Sequence, residues 1–140
     1  MEAVPVSGLG GTFNGNPAAC AAALKVLEIY KKENLIQRAE ELGRIAMDRL
    51  EEMKDKYAII GDVRGLGCAI GIEFVKDRNT KEPDAESTKS ILKYCHEHGL
   101  ILLPCGTYKN VIRFMFPLVI KEEEMLLGVD ILDNAIENVT

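Results

Sequence analysis

The sequence carries no surplus of positive charge. Its 17 Lys and Arg stand against 22 Asp and Glu, a formal net charge of -5, with a sequence pI near 5.1. No basic cluster interrupts this balance, which removes the electrostatic basis for binding nucleic acid. Metal chemistry is poorly supplied too. Cys20, Cys68, Cys95 and Cys105 are spaced too widely for a CxxC pair, so structural thiols are expected. His96 and His98, the only histidines, would point about 200° apart on a helix and cannot share an ion there by local geometry. No stretch is long or apolar enough to span a membrane, and the N-terminus lacks a charged-then-apolar secretory pattern. The expectation is a cytoplasmic protein without metal, nucleic-acid or membrane partners. There is no internal repeat and no low-complexity tract. What remains is an ordinary globular composition, 47% hydrophobic and 28% charged over 140 residues. That length lets a chain bury roughly two thirds of its unfolded surface, enough for a core of its own.

Against this background a glycine-rich stretch stands out, Ser-Gly-Leu-Gly-Gly-Thr-Phe-Asn-Gly-Asn-Pro at residues 7–17. Gly8, Gly10, Gly11 and Gly15 let the backbone bend sharply and approach an anion, and the Thr12 hydroxyl can donate to a phosphate oxygen. The spacing is neither a Walker A loop nor a dinucleotide fingerprint. On spacing alone, an anion cradle and a plain surface loop both fit.

Downstream, Asn16 and Pro17 predict a helix from Pro17 to about Lys31, with Asn16 as N-cap and proline at the first helical position. It is apolar on every side, from Ala18 through Leu27, and asks to be covered all round. A second, amphipathic helix is expected from Leu35 into Lys54, on Leu35, Ala39, Leu42, Ala46, Leu50 and Met53, with Asn34 and Gln37 as a variant capping box. Strands follow at about Ile59–Arg64 and Cys68–Val75, joined as a hairpin through Gly65-Leu66-Gly67. A polar loop at 77–87 leads into a third helix, about Ala85–His98, stopped by Gly99. Two further strands, Leu100–Pro104 and Val111–Phe114, precede a closing helix on Met125, Val129, Leu132, Ile136 and Val139. Its first turn holds Glu122, Glu123 and Glu124, where the helix dipole favours negative charge. The expected fold class is α+β, a small mixed or antiparallel sheet of about four strands with helices packed on one face.

One side chain breaks the apolar pattern of its strand. In Val111-Ile112-Arg113-Phe114-Met115-Phe116, alternation sets Arg113 on one face with Val111 and Met115. A buried arginine is costly unless an anion compensates it, and its planar fork matches a carboxylate through two parallel hydrogen bonds. An internal salt bridge, or snorkelling at an edge strand, accounts for the same residue. Glu73 and Arg64 read as structural, Arg64 as an ion-pair former.

Three blocks together go further: Gly10 to Glu28, Val63 to Phe74, and Gly99 to Phe114 followed by Pro117-Leu118. In wording and order they resemble the class III pyridoxal-phosphate (PLP) aminotransferases, and the resemblance covers nearly the whole chain. It implies the C-terminal domain of a fold-type I PLP transferase, with residues 1–16 a loop at the junction with a large domain and residues 17–140 the small C-terminal domain. It implies that Thr12, helped by Gly11, reaches the phosphate of the PLP bound by a neighbouring subunit, and that Arg113 holds the substrate α-carboxylate. The implied reaction moves an amino group from 4-aminobutyrate or a related ω-amino acid to 2-oxoglutarate in a homodimer or higher homo-oligomer. Ornithine-type and acetylornithine-type enzymes are rivals. In that family the lysine that carries the cofactor lies upstream of Gly-Gly-Thr, and no lysine precedes Gly10 here. The expectation is a piece of a longer enzyme, with no catalytic residue of its own and inactive alone. A reading of another class is a stand-alone α+β module that binds an anion or dimerises.

Overall fold

The computed structural model describes residues 10–140. Within it the chain divides into two compact units, the first ending at Leu35 and the second Ile36–Thr140. The first holds helix α1, Pro17–Lys32. It starts as its sequence predicts: the Asn16 side chain accepts from the N–H groups of Ala18 (3.0 Å) and Ala19 (3.2 Å), and proline at the first helical position costs no hydrogen bond. At the other end the Glu33 N–H closes on the Ile29 carbonyl at 2.9 Å. None of the residues of α1 is buried; Leu24 and Leu27 are 63% and 58% exposed.

Helix α2, Leu35–Lys56, leads into the second unit, which continues as β1 (Ile60–Leu66), β2 (Ala69–Asp77), β3 (Glu82–Pro83), α3 (Ala85–Glu97), β4 (Leu103–Cys105), β5 (Val111–Met115) and α4 (Glu122–Glu137). The sheet runs β1-β2-β5-β4 with β3 on β2, and every pairing is antiparallel. The α+β class with an antiparallel sheet is as expected. Two details differ. Leu100–Leu102 is not strand: α3 unwinds through Gly99 at φ 85, and the Leu100 N–H still bonds the Cys95 carbonyl at 2.8 Å, so pairing begins only at Leu103. The polar loop in turn contains β3. The Asp77 carboxylate accepts from the N–H groups of Asn79 (2.9 Å) and Thr80 (2.8 Å), folding the chain back so that Glu82 and Pro83 lie against Asp77 and Val75. Proline is tolerated there because the strand is an edge.

The helices of this unit supply the core on one side of the sheet. Ile60, Val63, Ile70, Ile72, Phe74, Ile112 and Phe114 from the strands join Leu42, Ala46 and Leu50 of α2, Ile91 and Cys95 of α3, and Met125, Val129, Leu132 and Ile136 of α4. Their period-two and period-three-to-four spacings are the reason these segments choose strand and helix. Ion pairs tie α2 to α4 above the core, Arg49 to Asp130 at 3.1 Å and Lys56 to Asp133 at 3.3 Å. Arg78, unremarkable in the sequence, donates its guanidinium hydrogens to the carbonyls of Ile60 (3.0 Å), Tyr57 (2.8 Å) and Lys54, pinning the end of α2 to the start of β1. Among the described residues no helix is long and apolar enough to cross a membrane.

Candidate functional site

The helices leave the opposite face of the sheet open, and Arg113 stands on it. Cross-strand partners share a face, so the register sets Arg113 of β5 between Gly71 of β2 and Leu103 of β4. Val111 and Met115 fall on the same face, as alternation predicts, but the arginine is exposed rather than buried. Alternation names the residues that share a face; which face the helices cover is decided by packing elsewhere. The cost of burying a cation therefore does not arise here. Among the described residues Arg113 makes no side-chain hydrogen bond and no ion pair. A guanidinium in this state offers a planar fork of donors to a carboxylate. Gly71 beside it keeps the surface clear.

The next row of the open face is charged. Asp62 of β1 lies opposite Glu73 of β2, and Arg64 Nη1 donates to both carboxylates, at 2.8 Å to Asp62 and 2.7 Å to Glu73. Asp62 first, then Glu73, raises the already high pKa of the guanidinium. The structural reading of Arg64 as an ion-pair former holds, and Glu73 is its partner. Asp62 escaped the sequence reading, although its step of two from Arg64 in a strand was the available signal. Asn110 stands directly before β5. It is buried, its amide donates to the Phe74 carbonyl at 2.9 Å, and its own carbonyl accepts from the Phe74 N–H at 2.7 Å. This double link fixes the start of β5 against β2, and with it the register of Arg113.

Thr12 and Gly11 belong to the first unit. Ser7, Gly8 and Leu9 of the glycine-rich stretch lie outside the described residues. From Gly11 the chain makes two overlapping turns, with the Asn14 N–H on the Gly11 carbonyl (3.0 Å) and the Asn16 N–H on the Phe13 carbonyl (3.2 Å); Gly15, at φ 76, takes the left-handed position inside the second. A Cβ on Gly11 would come within 3.3 Å of the Asn14 Oδ1. Thr12 is exposed, and neither its hydroxyl nor its N–H has a hydrogen-bond partner among the described residues. Those donors suit an anion.

The remaining candidates are structural. Cys68 and Cys95 are buried; Cys68 Sγ lies 3.6 Å from the Ala39 carbonyl. His96 and His98 are exposed at the end of α3, where the His98 ring stacks on Tyr94 at 3.9 Å. Among the described residues no three His, Cys, Asp or Glu side chains gather to hold a metal ion.

The chain is similar to known proteins over nearly its whole length. The family model for class-III aminotransferases matches residues 1–136. The chain is 44% identical to 4-aminobutyrate aminotransferase GabT of Escherichia coli (strain K12) over 98% of its own length and 32% of that protein's. It is 45% identical to 5-aminovalerate aminotransferase DavT of Pseudomonas aeruginosa, over 94% of this chain and 31% of that one. Among solved structures, an aminotransferase of Bacillus anthracis superposes with a TM-score of 0.84 at 41% identity, over 91% of this chain and 30% of that one. The chain thus spans about a third of the length of the relatives it matches. On these matches and on the α+β fold that carries Arg113, it belongs to the class-III aminotransferases.

Proposed function

We propose that the chain forms the C-terminal part of a PLP-dependent aminotransferase that moves an amino group from 4-aminobutyrate or a related ω-amino acid to 2-oxoglutarate. The observation that carries this reading is Arg113: an exposed guanidinium without a partner among the described residues, set beside a glycine on the open face of the sheet. Its fork takes the α-carboxylate of the 2-oxo acid in two parallel hydrogen bonds, orienting the carbonyl carbon for amino transfer. Asn110 holds the strand from which it projects. The free hydroxyl and N–H of Thr12, beside the side-chain-free Gly11, fit the phosphate of PLP, and by family resemblance that cofactor is bound by a second subunit of a homo-oligomer. PLP, when bound, supplies the electron sink for the chemistry. The 5-aminovalerate enzyme among the relatives supports a donor one methylene longer than 4-aminobutyrate as well; ornithine-type donors fit Arg113 equally, since it addresses the acceptor. The 140-residue chain by itself, given PLP, donor and 2-oxoglutarate, forms no glutamate.

The test is Arg113→Lys in the enzyme that contains this chain. Losing the bidentate fork costs about 1–3 kcal/mol in kcat/KM for 2-oxoglutarate, while the half-reaction with an ω-amino donor that lacks an α-carboxylate changes far less. Equal kinetics of mutant and wild type in both half-reactions remove Arg113 from the site.

A further inference from the structure

The glycine-rich loop holds a pair of residues that the reading of Thr12 leaves unused. Asn14 is followed by Gly15, and it is the only asparagine of the chain with glycine behind it: Asn34, Asn79, Asn110, Asn134 and Asn138 precede residues with a side chain, and Asn16 precedes proline. An asparagine carboxamide is open to attack by the backbone nitrogen of the next residue; a Cβ on that residue obstructs the approach, and proline has no N–H to lose. The structure leaves both reacting groups unheld. Asn14 and Gly15 are exposed, and among the described residues neither the Asn14 carboxamide nor the Gly15 N–H makes a hydrogen bond. A Cβ on Gly15 would meet nothing within 4 Å, so the peptide between them has room to rotate. The hydrogen bond that spans it, from the Asn16 N–H to the Phe13 carbonyl at 3.2 Å, lies at the surface, where water replaces it at little cost.

We propose that Asn14 is a site of spontaneous covalent modification whose product weakens the loop's hold on an anion. Gly15 N gives its proton to solvent and bonds to Asn14 Cγ; the Cγ–Nδ2 bond breaks, and Nδ2 takes up a proton and leaves as ammonia, closing a five-membered succinimide. Water then opens the ring. Attack at Cγ leaves aspartate, and attack at the Asn14 main-chain carbonyl leaves isoaspartate, with the chain rerouted through the side chain. Water is the only co-reactant. The new carboxylate arises beside the anion donors. The Asn14 carboxamide lies against Gly11, its Oδ1 3.3 Å and its Cγ 3.7 Å from where a Gly11 Cβ would stand, and Gly11 adjoins Thr12. A negative charge there opposes a phosphate on the Thr12 hydroxyl and N–H, and isoaspartate adds a methylene to the main chain inside the second turn. This consequence rests on the reading of Thr12 as a phosphate contact, whereas the modification itself does not.

The experiment reads the modification and its effect separately. Kept at pH 7, 8 and 9 and mapped by peptide mass spectrometry, the 140-residue chain is expected to convert at Asn14 before any other asparagine, to a mixture of aspartate and isoaspartate. The rate should rise about tenfold per pH unit, because the deprotonated amide is the nucleophile, and Gly15→Ala should slow it more than about tenfold through the Cβ it adds. An Asn14 that stays intact for weeks at pH 9, or another asparagine that converts first, overturns the proposal. In the enzyme that contains this chain, Asn14→Asp installs one product directly and is expected to weaken PLP binding about two- to fivefold, the weight of an exposed charge pair. If Asn14→Asp binds PLP as wild type does while Thr12→Val binds it more weakly, the carboxylate does not oppose the phosphate and the proposed effect on anion binding is overturned. If Thr12→Val also binds as wild type does, the modification site stands and the reading of Thr12 is what fails.

Discussion

The two faces of the central sheet are built from the same strands, one residue out of step. On the covered face Ile70, Ile72, Phe74, Ile112 and Phe114 are at most 3% exposed. On the open face the neighbours of those residues are Gly71, Glu73, Arg113 and Met115, and Met115 is 60% exposed. A slip of one residue would exchange the two sets completely. The double link between Asn110 and Phe74 therefore helps hold the register that separates the two sets. The covered face is uniform and interchangeable in kind, since any well-packed set of similar volume would hold the fold. The open face is particular: each charge has a direction, and one cation has none assigned.

The sharpest way to test this division is to cut adjacent residues of β5. Ile112→Ala removes a side chain with 0% exposure and should destabilise the chain by about 2–5 kcal/mol, as buried isoleucines do when a cavity is left. Arg113→Gln, one residue on, should leave the unfolding free energy from urea curves within about 0.5 kcal/mol of wild type. Comparable losses from both would mean that Arg113 has a structural role on the open face.

Glycines offer the same contrast at smaller amplitude. A Cβ at Gly43 in α2 would sit 2.3 Å from the Gly67 carbonyl oxygen, a clash of helix against backbone at the β1–β2 turn. Gly43→Ala is expected to cost about 1–3 kcal/mol by overpacking. A Cβ at Gly71 meets only Val111 at 3.5 Å and the Arg64 carbonyl at 3.8 Å, so Gly71→Ala should change stability by no more than about 0.5 kcal/mol. Denaturant curves of the two variants check both, and an equal cost would show that the open face is as tightly packed as the other.

Where sequence reasoning worked, a local cause was sufficient. Asn16 and Pro17 start α1, Gly99 ends α3, and the apolar spacing of α2 and α4 locates their buried stripes; each is decided within a turn or two of chain. It misplaced β4 because Leu100 to Leu102 are apolar enough for a strand, whereas the helix cap at Gly99 still holds the Leu100 N–H. It missed β3 because Glu82 and Pro83 have no strand propensity and pair only after Asp77 has folded the loop. At the site, the grouping of Arg113 with Val111 and Met115 was legible from alternation, but its exposure was not: that depends on where three distant helices pack. The Asp62–Arg64–Glu73 cluster needed the register of β1 on β2, a non-local fact. The reading of Thr12 came from resemblance, since spacing alone fits an ordinary loop as well.

The thiols provide the mildest probe of the two faces. Cys95 on α3 is 0% exposed among the core residues, and burial pushes its pKa from the ordinary 9.0 up to about 11, because a thiolate is poorly solvated there. Cys105 on β4 is paired with Val111 on the open face and is only half-buried. Iodoacetamide at pH 8 should therefore label Cys105 well before Cys95, since the thiolate is the reacting form and must also be reached. The same shift has a sign for stability. The native state holds the Cys95 proton more tightly than the unfolded chain does, so its contribution is complete below about pH 9 and is lost as pH rises through 11. The difference in urea midpoint between wild type and Cys95→Ala should accordingly be constant from pH 7 to about 8.5 and narrow above pH 9. A difference that stays flat to pH 11 would mean that Cys95 ionises without penalty, and that water reaches the covered face as readily as the open one.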